Sequence, residues 1–391
     1  MICSISSFSS WPALLALFGL LAGCAHPPKE VPAPHGPLVA VFPFENLCRN
    51  APPVREIREG LFARLAEQGI RTLPEREVDA FLTRHRLRYT GGIDGQAARQ
   101  LRDETGAEAV LITSLESYSN GRPPRLAMTC RLVATGDTPE ILWMKSAGMT
   151  GVDTPGFLGL GLVDDVRQLI DTELSRLTHS LAGYLAGAPA APAGSVAGRY
   201  APKSFYRAPT LLPERKFRVA VLPFFNKSGN SSAGTSVMLA VIRALFADGS
   251  YTIIEPGVVR QELLRYRVIM DGGVSLPQTD FIFDSLLADL VVSGTVLDYE
   301  ESQGTSGVPR VNFSLLLIDR ENRSAVWSSS SINAGDDGVY FFDLGRINSA
   351  NQLATAMATA LVKRMTGPLP PEPEEEPPPP PEPEEMWWIY Q

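Results

Sequence analysis

The chain has 391 residues, 44% hydrophobic and 20% charged, enough to build two or three ordinary cores. Its formal net charge is −8, but Pro368 to Glu385 holds seven Glu and no Lys or Arg, so the remainder lies one charge from neutral. A near-neutral body argues against nucleic acid as the main partner, and the four His are too scattered to set out a zinc site.

In chain order, Trp11 to Ala22 is an apolar run of signal-peptide length, too short to span a bilayer comfortably. It ends in Leu21-Ala22-Gly23-Cys24 and gives way to polar, Pro-rich sequence. This arrangement resembles the lipobox of bacterial lipoproteins. The resemblance implies that residues 1–23 are a signal peptide, and that Cys24 becomes the first mature residue and carries acyl chains. No Lys or Arg precedes Trp11, so the terminal amine is the only positive group there. Several acyl chains anchor a protein lastingly where one gives marginal binding. By the same resemblance Ala25, standing where Asp does not, favours the outer membrane. Residues 24–36 read as a lipidated, extended tether.

A first domain is expected over 37–185. Val39 to Phe44 is a short apolar run closed by Pro43 and Asn46, a buried strand that turns sharply. Val54, Ile57, Leu61 and Leu65 share one helical face, and Gly69 stops that helix. Ile70 to Leu73 predicts a short strand, Val78 to Leu87 and Ala97 to Thr105 two helices. Ala109 to Leu115 is apolar almost throughout, hence buried on both faces. Alternating strands follow over Leu126 to Val133 and Ile141 to Ala147, then a helix over Val163 to Leu185. Residues 186–212, rich in Ala, Pro and Gly, read as a linker whose only large apolar groups are Tyr200, Phe205 and Tyr206.

A second domain over 213–366 repeats the program, with strands Val219–Phe224, Tyr251–Ile254 and Leu290–Val296 among four helices, and a hairpin of Asn312–Ile318 with Ala325–Ser331. Val219-Ala220-Val221-Leu222-Pro223-Phe224-Phe225-Asn226 restates Val39-Ala40-Val41-Phe42-Pro43-Phe44-Glu45-Asn46 at an offset of 180. The offset persists at Gly69 and Gly249, is 181 at Tyr118 and Tyr299, and 184 at Trp143 and Trp327. A shared order at a shared spacing means a duplicated unit. The fold class is therefore α/β: two tandem repeats of a small α/β sandwich, a mixed sheet with helices, about 150 residues each. Residues 367–391 read as a Pro- and Glu-rich tail, in which Pro368 to Glu385 at ~3.1 Å per residue would make an arm on the order of 55 Å. Trp387, Trp388, Ile389 and Tyr390 at its tip read as a partner-docking cluster or as a tail folding back on its own domain.

Catalytic chemistry is sparse. Gly229 to Ser236 sits where a phosphate loop belongs, but Thr235 replaces the required Lys, and turn and capping roles suffice. Gly156 to Leu162 lacks the preceding strand of a dinucleotide site, and Gly335 to Gly338 reads as a turn. Asn46 and Asn226 are expected to close turns through their own backbones. No cofactor and no metal are expected. With Cys3 and Cys24 removed by processing and lipidation, Cys48 and Cys130 remain, and the sequence leaves open whether they form a disulfide or stay as buried thiols.

The Val-Ala-Val-x-Pro-Phe-x-Asn strands and Ala288-Asp289-Leu290-Val291-Val292-Ser293-Gly294-Thr295-Val296 resemble the CsgG/TolB-N-like superfamily of envelope lipoproteins. That group includes the curli-secretion lipoprotein and relatives such as PelC and LpoB. The first copy is the more diverged, with Glu108 and Thr113 at the acid and glycine positions. The resemblance implies a non-enzymatic envelope scaffold or accessory protein, facing the periplasm from the outer membrane and assisting assembly or export. It implies membrane attachment through Cys24 and envelope protein partners, with homo-oligomerisation left open. The short polar loops Ser117 to Arg125 and Glu300 to Arg310 hold no strands of transmembrane length, against a pore formed by this chain alone. An activator of a cell-wall synthase and an envelope enzyme stand as alternatives.

Overall fold

The computed structural model describes residues 35–153, 161–188, 198–211, 215–268, 276–304, 307–339 and 345–367. The first module holds β1 (His35–Val41), β2 (Glu45–Asn46), α1 (Val54–Glu67), β3 (Ile70–Thr72), α2 (Glu75–Arg84) and α3 (Gly95–Thr105). It continues with β4 (Ala109–Ser119), β5 (Arg125–Ala134), β6 (Ile141–Thr150) and α4 (Val166–Leu185). The second holds β7 (Ser204–Arg207), β8 (Phe217–Val221), β9 (Phe225–Asn226), α5 (Ala233–Asp248), β10 (Tyr251–Ile253) and α6 (Pro256–Arg265). It ends with α7 (Leu276–Leu286), β11 (Leu290–Glu300), β12 (Arg310–Asp319), β13 (Ala325–Ala334) and α8 (Ala350–Thr366). Among the described residues no helix is long and apolar enough to cross a membrane.

The sheets run β3-β1-β4-β5-β6 and β10-β8-β11-β12-β13-β7, with β2 beside β4 and β9 beside β11. In both, the VAV strand pairs in parallel with the long apolar strand, Val39 opposite Ala109 and Val219 opposite Leu290. Asn46 Oδ1 accepts from the Cys48 amide at 3.0 Å, and Asn226 Oδ1 from the Ser228 amide at 3.0 Å, so both asparagines close their turns as expected. Each module's first helix ends at a glycine with positive φ, Gly69 at 70° and Gly249 at 83°. The two modules are thus structurally similar, a duplicated α/β unit.

Their helices are buried differently. Helix α1 buries Ile57, Arg58, Leu61 and Leu65, one stripe against the first sheet, and α4 packs beside it. Helix α5 buries eleven residues from Ala233 to Leu245, on both flanks. The reason is position: α5 and α8 pack on the second sheet and also touch β6 of the first. The layers run α1 and α4, first sheet, α5 and α8, second sheet, with α2 and α3 beside α5 and α8 in the middle layer and α6 and α7 covering one end of the far face.

The linker expectation for 186–212 needs correction. Residues 198–211 belong to the second module: β7 pairs antiparallel with β13, Phe205 stacks on Trp327 at 5.3 Å, and Tyr200 is buried. Four residues of strand amid Gly, Pro and Ala give too short a pattern to read, and the stacked ring holds them in place.

Gly294 has a packing reason. A Cβ there would overlap the ring of Phe224, the aromatic of the repeated strand motif. Gly294→Ala is expected to destabilise the protein by about 1–3 kcal/mol through overpacking, read as a lowered urea midpoint at unchanged slope. A neutral result would mean the ring has room to move.

Candidate functional site

Of the residues singled out in the sequence, Cys24, Trp387, Trp388, Ile389 and Tyr390 lie outside the described residues, as does most of Gly156 to Leu162. Cys48 and Cys130 are free thiols. Cys48 follows β2 on one side of β4 and donates to the Leu115 carbonyl at 3.3 Å, whereas Cys130 sits on β5, on the other side. Two strand spacings, about 10 Å, separate such positions, beyond the ~7 Å between Cα atoms that a disulfide spans. Burial pushes both thiols up to about 12. Among the described residues no group of three or more His, Cys, Asp or Glu could hold a metal. The phosphate-loop lookalike is a turn: Asn226 Nδ2 donates to the Asn230 carbonyl at 2.6 Å, and Asn230 Oδ1 accepts from the Ser232 amide at 3.1 Å.

The polar chemistry gathers instead at the seam between the modules. Strands β4, β5 and β6 turn Ser114, Glu116, Thr129, Arg131 and Ser146 toward the second module. Arg131 and Glu255, the N-cap of α6, are both fully buried and form a two-pronged pair, Nε to Oε2 at 3.0 Å and Nη2 to Oε1 at 2.9 Å. Arg131 Nη2 also donates to the Gly91 carbonyl. Burial works against the charged guanidinium, and Glu255 outweighs it, so the Arg131 pKa is raised. Backbone meets backbone beside the pair: a Cβ at Gly92 or Gly257 would run into the other module's chain.

Glu116 is the second buried charge. Thr129 Oγ1 and Asn351 Nδ2, from α8, donate to its two oxygens, the latter at 2.8 Å. Burial pushes its pKa up to about 7; the Glu45 carboxylate adds to the rise, while bonds from Thr129 and Ser236 and the charge of Arg243 oppose it. Further out, Arg125 donates to the Ser302 carbonyl at 2.6 Å and pairs with Glu301 at 3.6 Å, and Gln352 donates to the Gly148 carbonyl at 3.0 Å.

Where β4 and β11 end, a polar cleft of about 810 Å³ opens between the modules, bordered by Arg49, Tyr118, Arg125, Asn230, Tyr299 and Glu301. Strand carboxyl ends are where α/β sheets place ligands. At its edge Arg125 and Ser117 are bonded across the seam to Glu301, an arrangement that holds the two modules in one orientation. Sequence reading missed Arg131, Glu116 and Glu255. The available signal was the contrast between repeats: strand register sets Glu116 against Leu297 and Arg131 against Leu316.

No protein-family model and no curated protein matches the chain. Its structure is similar to that of a PelC dodecamer subunit from Paraburkholderia phytofirmans, with 20% identity and a TM-score of 0.29, covering 42% of this chain and 96% of that one. It is also similar to lipoprotein GNA1162 from Neisseria meningitidis, with 19% identity, a TM-score of 0.28, and coverage of 37% and 98%. The LpoB C-terminal domain from Salmonella enterica matches with 18% identity, a TM-score of 0.24, and coverage of 29% and 82%.

Two outcomes test the seam. Arg131→Leu strands the Glu255 carboxylate and is expected to cost about 3–5 kcal/mol in urea unfolding, most of it recovered in Arg131→Leu/Glu255→Gln. Equal losses in the single and double variants would contradict the pairing. Glu116 has a folded-state pKa above its ordinary 4.5, so the fold keeps a proton that the unfolded chain releases. Its contribution therefore worsens as pH rises through about 4.5 to 7, and the loss is complete above that window. Glu116→Gln is expected to flatten this fall, by on the order of 2–3 kcal/mol between about pH 5 and 8. An unchanged pH profile would sink the assignment.

Proposed function

We propose that the protein is a lipid-anchored, non-enzymatic scaffold of the bacterial envelope that assembles head to tail and assists assembly or export at the periplasmic face of the outer membrane. The anchor rests on the signal-like run and Cys24, and the envelope role on the strand motifs shared with the CsgG/TolB-N-like lipoproteins. The observation that carries the assembly is an inequality between equivalent faces. On the first sheet the face bearing Glu116, Thr129 and Arg131 is buried by the second module. On the second sheet the same face has Leu297 at 41% and Ile332 at 46% exposure, with Ser330 exposed and Ser314 and Leu316 half-buried between them.

The occupant we assign is the first module of a second copy. Helices α1 and α4 are the repeat counterparts of α5 and α8, which fill this role inside the chain. Gln168 corresponds to Gln352, and Gly60 and Ala63 keep the groove between α1 and α4 open on its outer side. Repeating the internal docking from copy to copy is a heterologous contact, which closes into a ring or runs on as a filament.

Blue-native electrophoresis and light scattering of the detergent-extracted full chain are expected to give a discrete oligomer. Leu297→Asp/Ile332→Asp is expected to reduce it to a monomer with an unchanged melting temperature. A wild-type chain that is monomeric at working concentration would overturn the assembly and favour the activator of a cell-wall synthase.

A further inference from the structure

A second concavity on the seam, about 250 Å³, has walls from both modules. The connection from α2 to α3 supplies Arg86, Arg88, Tyr89 and Asp94, and α6 supplies Arg260 and Gln261. The three arginines are exposed, and among the described residues none of their side chains has an ion-pair or hydrogen-bond partner. Arg260 lies over the Tyr89 ring at 4.3 Å, and the Tyr89 hydroxyl is itself fixed by donating to the Gly91 carbonyl at 3.0 Å. Asp94, the one acid in the lining, is occupied at the N-cap of α3, where it accepts from the Ala97 amide.

Some arginines elsewhere on the molecule are matched by acids, as Arg84 is by Glu104 and Arg320 by Asp284. Here three guanidinium groups from two modules line one pocket with no acid paired to any of them, and the lining residues sum to +2, with Glu45 and Glu255 behind the Tyr89 wall. Such a field in a concave site attracts an oxyanion, and the guanidinium fork matches its geometry. A phosphate monoester, at about −1.5 to −2 near neutral pH, cancels that charge where a single carboxylate cancels half. The volume lies below the ~300 Å³ at which drug-sized sites begin and suits a small head group.

We propose that this pocket binds a phosphate monoester and that the bound group bridges the two modules. The monoester has two sources, a soluble phosphate or the head group of an acidic lipid. Calorimetric titration of the detergent-extracted full chain separates them, with inorganic phosphate, glycerol 3-phosphate and dihexanoyl phosphatidic acid as probes. Saturable binding of any of the three is expected, with a rise in melting temperature. Phosphatidic acid binding at least about tenfold tighter than glycerol 3-phosphate assigns the lipid source, and equal affinities assign the soluble one. Arg88→Gln/Arg260→Gln is expected to weaken binding at least about tenfold while melting normally in phosphate-free buffer. Gln261→Glu, which puts a negative charge on the rim, is expected to weaken it in the same direction and serves if the double variant folds poorly. No binding of any probe, or unchanged affinity in both variants, overturns the proposal.

Discussion

The buried pair of Arg131 and Glu255 is the constraint on which the arrangement of this molecule depends. Two full charges, taken out of water, are tolerated only where each is met by the other in good geometry. Arg131 projects from the middle of the first sheet, and Glu255 caps a helix of the second module, so their meeting sets both distance and angle between the units. The Gly92 and Gly257 backbones touch beside them, which leaves no slack in that alignment. Apolar residues of both modules share one core cluster, and that contact is nondirectional. The ion pair and the Glu116 bonds to Thr129 and Asn351 select one orientation from the many that apolar contact alone would allow.

Duplication followed by divergence explains why these charges occur once. A single ancestral unit has one sheet face to offer and one helix pair to dock upon it. In the tandem chain the first unit's face is permanently occupied, so Glu116 and Arg131 are specialised to their internal partner. The second unit keeps Leu297 and Leu316 at the same positions, Leu297 exposed and Leu316 half-buried. The helices diverged in parallel: α5 is apolar on both flanks, while α1 keeps a charged outer side.

Most of the architecture was legible in the sequence because it rests on local patterns. Val54, Ile57, Leu61 and Leu65 announce a helix by spacing, and the two VAV runs announce parallel strands by composition and by their repetition. Asn46 and Asn226 were readable because an Asx turn needs only its own next two residues. The seam was not legible, since Arg131 and Glu255 are 124 positions apart and each taken singly looks like a solvated residue. Cys48 and Cys130 could not be resolved either, because whether two thiols meet depends on which sides of β4 they occupy. Strand β7 escaped notice for want of length, its place being set by Phe205 against a tryptophan 122 residues away.

The polar character of the first module's covered face bears on biosynthesis. A chain made from its amino end completes the first sheet while α5 and α8 are still to come. During that interval Glu116, Thr129, Arg131 and Ser146 lie open to water, where they are well solvated. A face of leucines and valines in their place would invite the nascent chain to stick to its neighbours. A half-made molecule with such a face has less reason to self-associate, and its charges leave solvent only when α5 and α8 dock.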